Sequence, residues 1–431
     1  MLKKNFTIKM WTNVYFLIFL YYNRGMNNLD RTILHCDANN FFASVSAKLH
    51  PEYKGKPIAV CGDPEKRHGI VLAKSQEAKK YGVATGDVIW EAKNKCPDLL
   101  IVPAEYDKYI EYSNMLFEIY SRFTDQVECF GMDECWLDVT HSKIFGNGEQ
   151  IANKLRQIIK DELGITISAG VSFNKVFAKL ASDMKKPDAT TCIPRETFQE
   201  KIFDLPVSDM LMIGRRTNKK LSEMNIRTIG DLAYTDRLIM KSTFGVNGVM
   251  FVDWANGLDQ DPVKFCDKQG QVKQISNSIT TYRDLTTNDE KLSVIRALCE
   301  LISNRLTKMG AHTEGMYLGI KYDDFEFAGR QLTIPSTCAS RSLFEGAKQI
   351  LDALPNRPAR LISLGTTKLS TSPIIQMSMF GNDYEKDLQL SQSISKIKKK
   401  YGYSSIQPAS TLANSDLCGS IQDTDYKPFK N

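Results

Sequence analysis

Residues 32–45 read TILHCDANNFFASV, and residues 126–140 read QVECFGMDECWLDVT. The first stretch is a short apolar run, Thr32 to Cys36, that ends abruptly in Asp37, after which Phe41 to Lys48 turns to helical spacing. This pattern predicts a strand that delivers an acid at its tip and then hands the chain to a helix. The second stretch alternates as two short strands around Gly131 to Glu134, a hairpin with acids at its turn. Between and beyond them, apolar residues recur at helical spacing over 106–123 and 149–163, ITISAGVS at 165–172 reads as a strand, and a helix over 174–185 is stopped by Pro187. Strands alternate with helices, so the expected fold class is α/β (α+β).

The rest of the chain arranges itself around that core. Residues 49–106 read as a small inserted unit, with a turn at Lys54 to Pro57, the strand IAVCG and a Cys96–Pro97 turn. Residues 205–260 read as short helices around a turn at Gly214. The polar, aperiodic stretch 261–274 reads as a linker. Residues 275–370 combine strand-like runs with helices over 290–309 and 342–354, a second α/β unit. From Ser372 onward the chain is polar and short-patterned, and is expected to lack stable structure.

With 431 residues, 42% hydrophobic and 25% charged, the chain can bury several cores and does not have the composition of a disordered protein. A net charge of +6 is compatible with a nucleic-acid partner and equally with any mildly basic protein. The ten cysteines include no CxxC pair, which fits free thiols in a reducing compartment. Residues 11–22 (WTNVYFLIFLYY) follow Lys3, Lys4 and Lys9 as a signal sequence would. The run is shorter than the roughly 20 residues a spanning helix needs, and no small-residue cleavage site follows. Residues 1–25 are therefore expected to lie outside the working fold, with a membrane tether as the alternative.

Asp37, Asp133 and Glu134 are hard oxygen donors on two neighbouring tips. Phosphoryl transfer by paired divalent ions requires such carboxylates, holding the ions roughly 3.5–4 Å apart. Magnesium keeps several waters and takes few carboxylates, so three acids completed by phosphate oxygens suffice. Acids at a turn are just as compatible with a solvent-facing loop.

LHCDANNFFASV and VECFGMDECWLDVT together resemble the two acidic motifs of the Y-family translesion DNA polymerases, in particular the polymerase IV branch. Further motifs follow in order: GVSFNKVFAKLASDMKKP resembles that family's palm helix, MLMIGRRTNKKLSEMNIRTIGDLA its thumb, and QMSMF its sliding-clamp tag. The resemblance runs from Asp30 to about Phe380 and implies a right-hand polymerase. Its palm would be 26–48 and 107–204, small fingers 49–106, a helix-hairpin-helix thumb 205–260, a linker 261–274, a little finger 275–370, and a tail 371–431 with the clamp motif.

Carried over residue by residue, the resemblance implies two magnesium ions. Asp37 and Asp133 would bind both, Glu134 the ion that activates the primer 3′-hydroxyl, and the Ala38 carbonyl the nucleotide ion. Phe42, beside Phe41, falls where the family keeps a steric gate against a ribose 2′-hydroxyl. Lys179 matches a position that reaches the incoming triphosphate. Where many members carry a tyrosine and an arginine over the triphosphate, this chain has Gln76 and Lys79, so a point charge replaces a bidentate guanidinium. Gly214, Arg215, Arg216, Lys219 and Lys220 would meet a DNA phosphate chain, and Arg283, Arg341, Arg360 and Lys368 would add a second grip. Gln376, Met379 and Phe380 would dock in a clamp groove, and Lys396 to Lys400 reads as a solvated basic run.

The expected partners are primer–template DNA, deoxynucleoside triphosphates and a sliding clamp, with no stable membrane association, a cytoplasmic location and a monomeric state. Two other readings stay open from residues alone: a palm-type nucleotide cyclase, which needs no thumb or clamp tag, and a non-catalytic clamp- and DNA-binding relative.

Overall fold

The apolar run that ends in Asp37 forms the Ile33–Ala38 strand, buried along its whole length. It is the central strand of a five-stranded sheet, in the order Val127–Cys129, Glu134–Asp138, Ile33–Ala38, Ile167–Ser172, Thr190–Ile193. All neighbours are antiparallel except the last pair. The structure, a computed structural model, describes residues 31–63, 69–266, 272–371 and 383–418. These fall into two compact units, one from residues 31–54 and 105–266, the other from the described parts of 55–104 and 272–418. The N-terminal stretch 1–25 lies outside the described residues.

Register decides which side chains meet. His35 faces Trp136 and Asp37 faces Glu134 across the central pair, and with a side-chain period of two these four share one face of the sheet. Cys36 faces Cys135 on the other. The Lys175–Met184 helix lies on the face with the acids. Asn174 starts that helix by accepting the Phe177 N–H at 2.7 Å. Its close approach depends on Gly170 in the neighbouring strand. A Cβ there would stand 2.5 Å from the Ser182 backbone nitrogen and inside contact of the Ala178 carbonyl. Gly170→Ala is expected to cost about 1–3 kcal/mol by overpacking, seen as a lower melting temperature. An unchanged melting temperature would mean that the helix can shift freely.

The helical stretch after the sheet comprises Phe198–Ile202, Arg215–Glu223, Ile229–Ala233, Arg237–Phe244 and Val246–Ala255. Thr228 and Asp231 form a reciprocal cap, and Asp236 caps the next helix. Leu221, Ile229, Leu232, Met240 and Phe251 join Phe173, Phe177 and Leu180 in one core, so these helices are bound to the Lys179 helix by shared apolar burial. The expected linker at 261–274 is corrected over its first residues. Val263 is 1% exposed among Ile33, Trp136 and Ala178, Arg31 donates to the Asp261 carbonyl at 2.8 Å, and the Cys266 N–H reaches Asp125 O at 3.1 Å. One buried valine, side-chain bonds from Arg31 and Gln126, the Lys264–Glu128 ion pair and a backbone bond hold this strap, a pattern without periodicity.

In the second unit, Ile58–Cys61 pairs with Val71–Lys74 and, in parallel, with Leu100–Pro103. Residues 275–370 form a four-stranded antiparallel sheet in the order Phe327–Thr337, His312–Tyr322, Ala359–Ser370, Ile275–Leu285. The Asn288–Lys308 and Ser340–Asp352 helices bury Leu298, Ile302, Leu343 and Ile350 in a core with Met316, Leu318, Ile320, Ile362 and Leu364. The tail is also corrected, because Asp383–Tyr401, Ala409–Ala413 and Ser415–Cys418 are helices. They dock through Leu417 and Cys418, which enter the core of this unit with Leu388 and Tyr403 against it, and through polar contacts that a hydrophobic pattern does not reveal: Ser395 to Asn304 at 2.9 Å, Lys398 to Glu300 at 3.0 Å and Asn414 to Ser293 at 3.0 Å. Lys398 is therefore 5% exposed and not part of a solvated run.

Candidate active site

Three acids come together at one end of the five-stranded sheet because two chain-distant segments pair there. Asp37 and Glu134 are direct cross-strand neighbours, and the Ala38 N–H donates to the Asp133 carbonyl at 3.0 Å. The hairpin turn is held from behind by Ser113, whose hydroxyl donates to the Met132 carbonyl. On the other side Asn39 accepts from Ser168 at 2.9 Å and donates to Thr166 at 3.1 Å, which pins the chain where it leaves Asp37.

The helix opposite supplies cations. Lys179 Nζ lies 2.7 Å from Glu134 Oε2, 3.2 Å from Asp37 Oδ2 and 3.3 Å from Asp183 Oδ2. Lys186 Nζ lies 2.7 Å from Asp37 Oδ2 and 2.8 Å from Asp183 Oδ1. Both ammonium groups resist deprotonation: burial is the largest single influence and works against their charge, but the nearby carboxylates together outweigh it, Asp37, Glu134 and Asp183 at Lys179 and Asp37 and Asp183 at Lys186. Glu134 is likewise opposed by burial, yet His35 and Lys179 hold its carboxyl at about 2. Asp133 differs, since burial and the charges of Asp37 and Glu134 push it up to about 7. One corner of the site thus carries negative charge that the lysines leave uncompensated.

That imbalance, in a set of hard oxygen donors, fits a divalent cation. Among the described residues no three acidic, histidine or cysteine side chains close into a cage. The donor set is open, as suits an ion that keeps water and phosphate ligands.

Phe42 is half-buried at the start of the Phe41–Leu49 helix. Its ring stacks on Tyr109 with centroids 4.3 Å apart and planes at 12°, and meets Tyr106 edge-on at 6.0 Å. The Tyr109 hydroxyl in turn bonds Ser46 at 2.8 Å. Phe41 is 3% exposed and packs into the core behind Phe42, so only Phe42 presents its ring.

The remaining expected residues divide between the two units. Gly214 caps the Arg215–Glu223 helix with nothing within 4 Å of where its Cβ would be, and Arg215, Arg216 and Lys219 are exposed beside it. Lys220 is instead tied to the Thr243 carbonyl at 3.0 Å. Gln76 and Lys79 lie on the Gln76–Lys80 helix of the second unit, capped by Ser75, with Lys79 exposed. In that unit Arg283 is engaged by Glu290 at 2.6 Å and Arg360 lies over Phe325. Arg341 and Lys368 are exposed. Gln376, Met379 and Phe380 fall outside the described residues.

Sequence reasoning passed over Lys186, Asp183, His35, Ser182 and Tyr109. Asp183 is one helical turn beyond Lys179, a spacing that was available to find it. His35 is fully buried, 2.8 Å from Ser182 Oγ and 3.3 Å from Glu134 Oε2. A lone histidine in an apolar strand carries no signal of such contacts.

Residues 36–183 match the impB/mucB/samB family, and residues 272–379 match the impB/mucB/samB family C-terminal domain. A DNA polymerase IV of Acetivibrio thermocellus is 42% identical over 396 residues, covering 90% of this chain and 99% of that protein. A DNA polymerase IV of Clostridium acetobutylicum is 33% identical over 385 residues, covering 87% and 96%. Among solved structures, a chimeric Y-family DNA polymerase superposes with a TM-score of 0.70 at 23% identity, over 80% of this chain and all of that one.

Proposed function

This chain belongs to the impB/mucB/samB family, the Y-family translesion DNA polymerases in their DNA polymerase IV branch, and we propose that its chemistry is carried by Asp37, Asp133 and Glu134. It is a DNA-directed DNA polymerase that binds primer–template DNA and deoxynucleoside triphosphates and depends on divalent metal. The observation that carries the assignment is the cross-strand pairing of Asp37 with Glu134 beside the Ala38–Asp133 backbone bond, faced by two lysines. The nearness of Asp37, Glu134 and the Asp133 backbone supports an active enzyme over a non-catalytic relative, and the family assignment removes the cyclase reading.

Asp37 and Asp133 would hold two magnesium ions in common, with Glu134 completing the site at the primer and the Ala38 carbonyl at the nucleotide. When bound, the pair supplies Lewis acidity at the primer hydroxyl and charge neutralisation along the triphosphate. Lys179, the more buried lysine with three carboxylate contacts, helps keep Glu134 ionised and bridges it to Asp37. Lys186, whose side chain is 27% exposed against 13% for Lys179, is the better placed of the two to move onto a triphosphate. Phe42, backed by Tyr109, would exclude a ribose 2′-hydroxyl. Exposed Arg215, Arg216 and Lys219 at the Gly214 helix start suit sequence-independent phosphate contacts. Magnesium-dependent primer extension, lost in a variant without Asp133 and Glu134, tests the assignment.

In this reading residues 26–48 and 107–204 are the palm, 49–106 the fingers, 205–260 the thumb and 275–370 the little finger. Extension is low in fidelity, crosses damaged template and proceeds without proofreading. The protein acts as a monomer in the cytoplasm; among the described residues no helix is long and apolar enough to cross a membrane, and no cysteine is in a disulfide. A sliding clamp would bind Gln376 to Phe380. Deleting those five residues is expected to abolish stimulation by the clamp while basal extension stays within about twofold, a change of roughly 0.4 kcal/mol. Loss of both activities would make the segment structural.

A further inference from the structure

The hairpin that bears Asp133 and Glu134 also bears an aromatic ring that the chemistry above leaves unused. Phe130 donates its backbone N–H to Glu134 O at 2.8 Å. Cys129 pairs with Cys135 and Glu128 with Trp136, so alternation puts the Phe130 side chain next to Glu134, on the face that carries Asp37. Across the sheet that row reads Phe130, Glu134, Asp37, Ser168.

Phe130 is 45% exposed, yet its ring does not swing free. It lies 4.8 Å from the Trp136 ring at 48°, and Trp136 is itself buried, with its indole N–H on the Lys175 carbonyl at 2.9 Å. Gly131 turns the chain just beyond it with φ of 105°. Exposed apolar residues are common on protein surfaces; this one is rigid, large and adjacent to a catalytic carboxylate. Two cations stand alongside, Lys175 Nζ 4.7 Å over the Trp136 ring and Lys264, both anchored on Glu128.

We propose that Phe130 is the surface on which the terminal nucleotide of the primer strand rests, its ring against the deoxyribose and base edge. The inference rests on the assignment of Glu134 to the primer side of the site. Phe42, five residues after Asp37, would guard the sugar of the incoming nucleotide, whereas Phe130 is tied by the hairpin to Glu134. A contact made mainly to the sugar carries no sequence preference, as a polymerase needs at a position every sequence must occupy.

Phe130→Ala, Phe130→Leu and Phe130→Tyr test this, each checked for an unchanged melting temperature. Phe130→Ala should raise the KM for primer–template roughly tenfold while leaving the KM for the nucleotide unchanged, and Phe130→Tyr should restore the wild-type value. Fluorescence anisotropy on primed template without metal should show the same order, weakest for alanine and intermediate for leucine. A wild-type KM for primer–template in Phe130→Ala would overturn the proposal. So would a fall in kcat alone, which would make the ring only a brace for the catalytic hairpin. The anisotropy does not need the carboxylates to act: a wild type that fails to extend primers sinks the catalytic assignment, whereas equal DNA binding by wild type and Phe130→Ala sinks this one.

Discussion

Asp133→Ala combined with Glu134→Ala is expected to lower magnesium-dependent primer extension by at least ~1000-fold, about 4 kcal/mol of transition-state stabilisation. The two residues supply two of the three proposed metal-binding carboxylates, and without them Asp37 and Asp183 only balance Lys179 and Lys186. The surplus negative charge that would hold the cations is then gone. Folding should survive, because Asp133 and Glu134 are only half-buried and removing them relieves repulsion that already pushes the Asp133 carboxyl up to about 7. A steady-state primer-extension assay, with circular dichroism to show that the variant is folded, separates the two effects. Extension within tenfold of wild type would remove the acids from the chemistry.

The second large effect concerns sugar selection. Phe42→Ala should raise ribonucleotide incorporation relative to deoxyribonucleotide by roughly 100-fold, about 2.7 kcal/mol of lost discrimination. The ring can exclude a hydroxyl only if it cannot retreat, and the structure blocks its retreat: Tyr109 lies parallel behind it at 4.3 Å, and the buried Phe41 packs at its other side at 5.7 Å. Phe42→Ala also removes that stacking, so some loss of stability accompanies the change, of the order of 1 kcal/mol for the aromatic pair. Comparing kcat/KM for matched ribo- and deoxyribonucleotides in the same preparation cancels that general loss. Unchanged selectivity would show that Phe42 is packing only.

The two acidic stretches were legible because strand and helix periods write themselves into apolar spacing. The same holds for the strands at 165–172 and 275–370 and for the helices around Gly214. Polar docking was not legible. The helices after 383 lie against Asn288–Lys308 through Ser395, Lys398 and Asn414, with only a few apolar side chains such as Leu417 in the core, and the strap at 261–266 is held by a single valine, the Lys264–Glu128 ion pair and scattered bonds to the backbone. No hydrophobic period marks such contacts, so both segments read as unstructured.

By itself the sequence determined which residues could do the chemistry: Asp37 at a strand end, Asp133 and Glu134 in a hairpin, Phe42 five residues past the first acid. Those follow from local rules, since a strand tip and a turn are set by a few neighbouring residues. Only the tertiary structure decided what surrounds them. The antiparallel register sets Glu134 opposite Asp37, Gly170 lets the facing helix come close enough for Lys179 to reach both strands and for Lys186, just past its end, to reach Asp37, and the same register sets Phe130 beside Glu134. Partners so far apart in the chain are chosen by backbone pairing and packing across the whole sheet, whose free energy no single stretch of sequence contains.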